Sequence, residues 1–560
     1  MTAELADQPR LAALVVTEAW RRVRRRLRIG PLHRWRFSGG APDRLLVTPP
    51  ELRRGDPIIA ADIYSGKFYL SGQLVEVGTG SPFAGAAPSR AWNAELQSFG
   101  WLRHLSEAGD ALASANARAL VGDWQRQTGT SISPRTHDVD VTARRVIAWL
   151  THSNLILVDA DFAFYRRFLR SLTREMRYLR SIAAEAPDGL PRLRARIALA
   201  FLSLCMPTGG GHMRVAARNL SDELDRQVFA DGGHVSRNPA ANIEILAELL
   251  PLRQTFAEQN QPVPKGLIRA IDRMLPALRF FRHADGALAL FNGAGLSEGQ
   301  LITALLRHDE TLGDPISHAR QSGYQRLSAA GTILIADTGL PPAPQLSGEA
   351  HAGTLAFEFS SGSSRFVVNC GAPARRDEDW RRLARTTAAH STLTVADHSS
   401  ARFSQAGLVE RFLGAPLIAG PTRVPTTRED SDAGQRFTAA HDGYRQRYGL
   451  VHERSLFLAR DGRLIEGTDR LFPVGGKQAR PTMPAAIRFH LHPGVTAERT
   501  ADGVLLRARK EVWQFHCDAE VELEDSIFFA DSAGARRTQQ IVATFDPGQR
   551  SDVAWRFEKR

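Results

Sequence analysis

The chain has 560 residues and a formal net charge of +12, and its 43% share of hydrophobic residues is ordinary for a globular protein of two to four domains. No segment approaches the roughly 18 consecutive apolar residues of a membrane-spanning helix, so no helical membrane span is expected. Three widely separated cysteines exclude a disulfide framework and a zinc-type cysteine motif from the expectations.

Half of the net charge lies in residues 1–36, where nine arginines meet three acidic residues. An arginine-rich helix of this kind suits an anionic partner such as a membrane surface, a nucleic acid or an acidic glycan. Because Trp20 and Trp35 are its only large aromatic residues, a nucleic acid is the least expected of these. The alternative is a solvated helix that packs on the body of the protein through four apolar residues, Leu11, Leu14, Ala19 and Val23.

The same region does not read as a secretory signal. Its apolar run, LAALVV, is only six residues long, and the arginines follow it instead of preceding it. The sequence by itself therefore predicts a cytoplasmic protein.

After this basic N-terminal helix, residues 37–90 are rich in Pro and Gly and are predicted to form an irregular lead-in. Apolar residues then recur every three or four positions, as in RRVIAWLTHSNLILV, FYRRFLRSLTREMRYL and RARIALAFLSLCM. This spacing predicts amphipathic helices, and we assign residues 91–310 to an all-helical domain.

The hydrophobic period falls to two after Gly323, in segments such as GTILIAD, TLAFEFSSG, RFVVNCG and AAIRFHLHP, with Gly, Asp and Pro between them. A run of helices followed by a run of strands predicts two layered domains joined end to end. We therefore assign residues 320–560 to an antiparallel β-sandwich. Within it, the stretch from His351 to Asp397 is predicted to form half-buried strands that bring polar residues to one place.

The order of these parts resembles the heparinase II/III family of polysaccharide lyases, which have an incomplete (α/α) toroid followed by an antiparallel β-sandwich. Four segments carry the resemblance, QVFADGGHVSRNP, HAGTLAFEF, FVVNCG and RTTAAHSTLTVAD, with HDGYRQRYGLVHERSLFL behind them. The resemblance covers residues 90–550 in layout. It implies an acidic, uronic-acid-containing glycan as partner, and the periplasm or cell envelope as the place of action.

The resemblance also implies a reaction, β-elimination. The carboxylate of the uronic acid is neutralised, the C5 proton is removed and the departing O4 is protonated. The family uses a tyrosine, histidines and an asparagine for these tasks, and its sandwich holds zinc on two histidines and an aspartate.

Matched onto this chain, the two zinc-binding histidines are His351 and His390, while the aspartate ligand falls on Asn369. Zinc normally takes at least three histidine, cysteine or carboxylate ligands, so tightly bound zinc is not expected. The catalytic histidine of the family is replaced by Glu349, and its Tyr-His pair by Ala241 and Asn242.

Other candidates have a structural alternative beside the functional one. His234, Arg237 and Asn238 follow two glycines and are placed to hold a carboxylate, or Asn238 caps the helix that begins at Pro239. His351 and His390 face the cleft between the domains, or form a hydrogen-bonded pair inside the sandwich. Glu349 acts as a base, or is an exposed glutamate. A group of five arginines is expected either to bind uronate or sulfate or to form a solvated basic loop. These are Arg375, Arg376, Arg381, Arg382 and Arg385.

Three hypotheses follow. The first is a lyase with a rearranged site, with a catalytic set of His351, His390, His234 and Glu349 and a substrate-binding set of Asn238, Arg237, Arg385 and Asn369. The second is a catalytically inactive glycan-binding protein of the same fold. The third is a protein that binds an anionic surface or a nucleic acid through its arginine-rich N-terminus, with residues 10–36 as the contact with a membrane surface.

Overall fold

The computed structural model describes residues 9–29, 35–37, 39–128, 132–133, 136–207, 209–310, 315–374, 378–405, 407–474 and 483–560. The chain divides into two compact units. The sandwich unit comprises Met1–Val15, Phe229–Asn242 and Arg273–Arg560, and the helical unit comprises Val16–Val228 and Ile243–Asp272. Residues 273–310, which the sequence assigns to the helical domain, lie in the sandwich unit.

The helices within the described residues are numbered in chain order. They are α1 Pro9–Ile29, α2 Pro57–Tyr64, α3 Arg90–Ser98, α4 Leu102–Ala108, α5 Ala111–Thr128, α6 Val139–Thr151, α7 Ser153–Leu157, α8 Phe162–Ile182, α9 Leu190–Cys205, α10 Gly210–Gln227, α11 Pro239–Glu258, α12 Lys265–Phe280, α13 Gly299–Leu306, α14 Glu378–Ala384, α15 Gly407–Leu413 and α16 Arg445–Tyr448. Their order confirms the predicted run of helices in the first half. Not one of them is both long and apolar enough to cross a membrane.

These helices form where apolar residues recur at helical spacing. In α8, Phe164, Phe168, Leu172 and Leu179 share one buried face. Asp161 caps its first turn by accepting a hydrogen bond of 2.6 Å from the amide of Phe164. Helix α9 is apolar nearly all round and is buried accordingly. Burial of these faces, more than helix propensity, stabilises the helical unit.

The strands are numbered in the same way. They are β1 Lys67–Leu70, β2 Gln73–Glu76, β3 His318–Ala319, β4 Tyr324–Ala329, β5 Thr332–Asp337, β6 Phe357–Ser361, β7 Ser364–Val368, β8 Leu393–Val395, β9 Arg402–Phe403, β10 Leu417–Ala419, β11 Thr426–Asp430, β12 Gly434–His441, β13 Leu450–Ala459, β14 Leu464–Pro473, β15 Ala485–Leu491, β16 Thr496–Thr500, β17 Gly503–Ala508, β18 Glu511–Cys517, β19 Glu520–Phe528, β20 Arg536–Phe545 and β21 Asp552–Lys559.

Two large antiparallel sheets form a sandwich. The nine-stranded sheet has the order β19-β20-β15-β7-β6-β5-β4-β3, with β8 also paired to β15, and the eight-stranded sheet has the order β11-β12-β13-β14-β21-β18-β17-β16. Aromatic residues from both sheets meet between them. Phe357 stacks on Trp555 with ring centroids 5.4 Å apart, and Phe359 lies 5.0 Å from Phe557. The predicted antiparallel β-sandwich is confirmed.

Two expectations about the stretch from His351 to Asp397 are wrong. Strand β6 is buried along its whole length, not half-buried, because His283 covers its outer face and bonds Glu358 and Ser360, each at 3.0 Å. In addition, His351 lies in the loop before β6, and His390 follows a 3₁₀ turn, so neither histidine is on a strand.

A buried ionic cluster stabilises the eight-stranded sheet. The carboxylate of Asp469 accepts hydrogen bonds from Arg454 at 2.8 and 3.0 Å, from His452 at 2.7 Å and from the indole of Trp555 at 2.9 Å. Burial alone would raise the pKa of Asp469, but Arg454 and His452 hold that pKa below its ordinary value. Arg454 also donates to the carbonyl of Ser391 at 2.8 Å, which links this cluster to the loop that carries His390.

We predict that Asp469→Asn destabilises the protein by about 3–5 kcal/mol, because Arg454 would keep a buried charge without its counter-ion. Urea unfolding followed by circular dichroism measures the loss. The matched control is Asp432→Asn, which neutralises an exposed carboxylate that pairs with Arg460 at the surface, and we expect a change within about 0.5 kcal/mol. Equal stability of the Asp469 and Asp432 variants would contradict the prediction.

Candidate functional site

The two histidines matched to the zinc ligands are hydrogen-bonded directly to each other. Nδ1 of His351 lies 3.0 Å from Nε2 of His390, and Nδ1 of His390 lies 2.7 Å from the carbonyl oxygen of Thr386. Because a carbonyl oxygen can only accept, Nδ1 of His390 carries a proton and its Nε2 accepts from Nδ1 of His351. The hydrogen bonds therefore assign one proton to each ring.

Burial keeps both rings neutral, since His351 and His390 are 6% and 1% exposed. It lowers the pKa of His390 to about 4, although the bond to Thr386 acts in the opposite direction. The pKa of His351 is also well below its ordinary value, first because of burial and then because of His390 and Arg385. A neutral pair of this kind does not neutralise a carboxylate and is a weak base near pH 7.

Asn369 lies beside the pair, directly after β7. Its Oδ1 accepts a hydrogen bond of 3.0 Å from the amide of Ser391, the residue after His390. Its backbone amide donates to Glu358 at 2.8 Å. The side chain is fully buried, and its Nδ2 has no hydrogen-bond partner among the residues that the structure describes. The bond to Ser391 fixes which way the amide faces.

Asn292 connects the pair to a second buried network that sequence reasoning missed. Its Oδ1 accepts from the amide of His351 at 3.2 Å, and its Nδ2 donates to the hydroxyl of Tyr324 at 2.7 Å and to Asp337 at 3.0 Å. The Tyr324 hydroxyl in turn donates to the carbonyl of Arg237 at 2.6 Å, and burial raises the pKa of this tyrosine. The turn-forming dipeptide Asn-Gly and the aspartate that ends TILIAD are the only signals of this network in the sequence.

Arg237 is buried and its guanidinium is fully engaged. It donates to the carbonyl oxygens of Ser322 at 2.7 Å, Leu340 at 2.8 Å and Gly323 at 3.1 Å, and it pairs with the carboxylate of Asp337. These contacts tie the segment around Arg237 to the strands β4 and β5. They favour a structural role over the capture of a substrate carboxylate.

The neighbours of Arg237 are engaged in a similar way. Asn238 accepts a hydrogen bond of 2.9 Å from the amide of Ala240 and so caps α11, as the alternative interpretation predicts. His234 is 1% exposed, and its Nδ1 lies 2.7 Å from the hydroxyl of Ser236. Asn242, at the place of the family's histidine, is buried and donates to the carbonyl of Gly232 at 3.0 Å.

Glu349 and Arg385 differ in exposure. Glu349 is exposed in the loop before His351. Arg385 is buried and donates to the carbonyl oxygens of Ala350 at 2.8 Å and Ser347 at 2.9 Å. Burial lowers the pKa of Arg385 to about 10, so it remains charged near pH 7. Its guanidinium therefore holds the loop that carries Glu349 and His351.

Two other arginines of this group, Arg381 and Arg382, are at least partly exposed at the protein surface. Arg381 donates to the carbonyl of Gly348 at 2.8 Å, and Arg382 pairs with Glu410 at 2.8 Å. Arg375 and Arg376 lie outside the described residues.

The donor set does not fit zinc. No group of three or more His, Cys, Asp or Glu side chains within the described ranges is arranged to hold a metal ion. His351 and His390 direct ring nitrogens at each other, and an amide, which is a poor zinc ligand, stands where the family has a carboxylate.

Helix α1 forms a second candidate site, with an apolar stripe that faces solvent. Val16, Trp20, Val23 and Leu27 follow the spacing i, i+4, i+7 and i+11, which places them on one face. Their exposed fractions are 67, 60, 44 and 63%. The expected packing of the helix through Val23 is therefore wrong.

Arginines flank this stripe on both sides. Other arginines, on the opposite face of the helix, form ion pairs. Arg24 and Arg26 are exposed, and helical geometry puts them on opposite flanks of the stripe. Arg24 also pairs with Glu185 at 3.4 Å. On the opposite face Arg25 pairs at 3.1 Å with Glu18, which is buried. The exposed face thus combines large apolar residues with positive charge.

Further contacts hold α1 within each unit. In the sandwich unit, Leu11 is buried against Val409 and Ile418. In the helical unit, Arg28 donates to the carbonyl of Ser181 at 2.6 Å. Because these contacts involve the face opposite the stripe, they leave Val16, Trp20, Val23 and Leu27 uncovered within the described part of the chain.

Comparison with known proteins shows where this arrangement belongs. Residues 311–556 match the family described as Heparinase II/III-like, C-terminal. FtsZ-localized protein C of Caulobacter vibrioides (strain NA1000 / CB15N) is 32% identical over 552 residues, which cover 95% of this chain and 92% of that protein.

Solved structures share the fold at low identity. Heparinase III has a TM-score of 0.70 at 12% identity, with 94% of this chain and 88% of that chain covered. A mutant of the heparan sulfate lyase HepC from Pedobacter heparinus has a TM-score of 0.61 at 14% identity, with 100% and 90% covered. The solved structures show that the fold is shared, and the match of residues 311–556 shows that the chain belongs to the heparinase II/III family.

Proposed function

We propose that this protein is a non-catalytic member of the heparinase II/III family, which acts by binding and not by cleaving a glycan. The observation that carries the proposal is the buried, neutral His351–His390 pair, whose facing nitrogens bond each other instead of a metal or a substrate. The remaining contacts support it, because the candidate residues that the structure describes for each task of β-elimination are bonded within the protein or have unsuitable chemistry.

Neutralising the uronate carboxylate requires a cation or an amide donor that is free to reach it. The guanidiniums of Arg237 and Arg385 are buried and bond backbone carbonyls. Asn238 uses its side-chain oxygen to cap α11. The groups with suitable chemistry therefore stabilise the sandwich unit.

Moving the C5 proton and protonating O4 require groups whose pKa lies near the working pH. The chain has Ala241 and Asn242 at the family's Tyr-His pair, and neither titrates there. Tyr324 is buried, its hydroxyl is hydrogen-bonded on both sides and its pKa is raised. Glu349 is exposed in the loop before His351. The similarity in fold to heparinase III and to HepC still makes an acidic polysaccharide or oligosaccharide the ligand class to test.

A second function, association with an anionic membrane surface through α1, has its own observation. Its exposed stripe of Val16, Trp20, Val23 and Leu27 runs between exposed arginines. A helix of this composition lies in the plane of the lipid headgroups, with its apolar face inserted and its arginines near the phosphates. The name of the Caulobacter relative, FtsZ-localized protein C, adds a proposed location, because a protein so similar along its whole length is expected at the same place.

The test of the non-catalytic proposal is the ultraviolet absorbance of the unsaturated uronate that β-elimination produces. We expect no increase when the protein is offered heparan sulfate, alginate, polyglucuronate or chondroitin, with an active heparinase III as positive control. Binding of the same glycans is measured by calorimetry. An increase in absorbance that disappears in the His351→Ala, His390→Ala variant would contradict the proposal.

The membrane proposal is tested by flotation with vesicles of phosphatidylcholine alone or with one third phosphatidylglycerol. We predict binding to the anionic vesicles that weakens as salt rises, and at least a tenfold loss in the Trp20→Glu, Leu27→Glu variant, because both an apolar anchor and positive charge are lost. The control is Tyr69→Glu, Phe162→Glu, which replaces two equally exposed apolar residues elsewhere. Equal loss in both variants, or no binding by the wild type, would count against α1 as the membrane contact.

The proposed location is tested with a fluorescent fusion of this protein in Caulobacter vibrioides cells that carry labelled FtsZ. We expect the two signals to coincide. Because the location is proposed from similarity along the whole chain, a diffuse signal from a fusion that is intact and folded would be the contradicting result.

A further inference from the structure

We infer that Asn369 is the residue that keeps this site free of metal, and that one substitution at this position creates a zinc site. The inference deepens the proposed function by naming the change that converts a family metal centre into a hydrogen-bonded structural cluster. Zinc is a cation that prefers histidine, thiolate and carboxylate ligands.

The two histidines are already placed for a shared tetrahedral ion. Zinc–nitrogen bonds of 2.0–2.1 Å at a tetrahedral angle would separate two ring nitrogens by about 3.3 Å. Nδ1 of His351 and Nε2 of His390 are 3.0 Å apart. The nitrogens would separate by a few tenths of an ångström, each ring would turn so that its nitrogen points at the ion, and the intervening proton would pass to solvent. The positions of the histidines are therefore not the barrier.

Zinc binding is instead prevented by the third group, the side-chain amide of Asn369. Two neutral imidazoles and an amide would give a buried Zn²⁺ no anionic ligand, which is unfavourable away from water. The nearby carboxylate of Glu358 is already bonded to the backbone amide of Asn369 and to His283. Asn369 has no exposed surface, and its Oδ1 is held by the amide of Ser391, next to His390. An aspartate in this orientation would keep one oxygen on Ser391 and place its second oxygen where Nδ2 now lies without a partner. A carboxylate here would add a negative charge next to the loop of His390, at the position that the resemblance assigns to the third ligand.

Without metal, the cluster still joins two segments of chain. His390 is bonded to Thr386 within its own turn, and His351 is bonded through its backbone amide to Asn292. The bond between the rings links these two loops, as a shared zinc ion would. The hydrogen bond between two neutral rings thus joins the same two loops that a metal ion would join.

The inference is tested by equilibrium dialysis of untagged wild type, Asn369→Asp and Asn369→Cys against zinc, with the metal quantified by mass spectrometry. We expect no stoichiometric zinc in the wild type and one zinc per chain in Asn369→Asp, with at least a hundredfold gain in affinity. Cobalt should give the visible spectrum of a tetrahedral ion only in the variants. Adding His351→Ala to Asn369→Asp should abolish the gain.

Asn369→Cys keeps the test decisive if a buried aspartate prevents folding, because a thiol is neutral without metal and becomes a thiolate ligand with it. Stoichiometric zinc in the wild type that is lost in His351→Ala would overturn the inference. A folded variant that binds no more zinc than the wild type would also overturn it. Neither result depends on glycan cleavage, so failure here and failure of the proposed function are distinguishable.

Discussion

The buried ion pair between Arg237 and Asp337 is the interaction on which the candidate site depends. The guanidinium of Arg237 bonds three backbone carbonyls around β4 and β5, and Asp337 bonds Asn292. Asn292, which lies 59 residues before His351 in the chain, accepts from the amide of His351, so the ion pair helps to set the position of the histidines. Removing one member of such a pair costs about 3–5 kcal/mol, because the other charge stays buried. The geometry of the site is therefore part of the stability of the sandwich unit.

This coupling supports the proposal that suitable residue types here serve stability instead of catalysis. The histidines, Arg237, Arg385 and Tyr324 use most of their polar atoms in bonds within the protein. A group that donates to a backbone carbonyl in the folded protein would have to break that bond to reach a substrate. In this chain the space holds a buried hydrogen-bonded network that joins Arg237, Asp337, Asn292 and His351. What remains for contact with a partner is the surface, and the stripe on α1 is its most distinctive part.

The fold could be predicted well from the sequence, because a helix or strand with one buried face repeats its apolar residues at a fixed spacing. Helix α8 has one buried face, and strand β13 alternates fully buried with partly buried residues, and the order of apolar and polar residues along the chain shows the same periods. Strand β6 was harder, since both of its faces are covered. The stripe on α1 could be found from its spacing, but α1 has apolar residues on two faces, and sequence alone does not tell which face packs, as Val23 shows.

The site was predicted less well, for a physical reason. Tyr324, Asp337 and Arg237 are joined by contacts between residues up to 100 positions apart, and no spacing rule relates them. The functional interpretation of Arg237 and Arg385 rested on their charge, which does not reveal whether a guanidinium reaches solvent or a carbonyl. The hydrogen-bonded histidine pair was one of two alternatives, and only the three-dimensional arrangement distinguishes it from a pair open to a ligand.

The central claim, that the His351–His390 pair is neutral and that its facing nitrogens bond each other, is tested most directly by nitrogen NMR of protein labelled in its histidines. Signals of His351 and His390 are assigned with the variants His351→Gln and His390→Gln. The account predicts that at pH 7 both rings are neutral and that each carries its single proton on Nδ1. A charged imidazolium at either position, or a proton on Nε2 of His390, would contradict it.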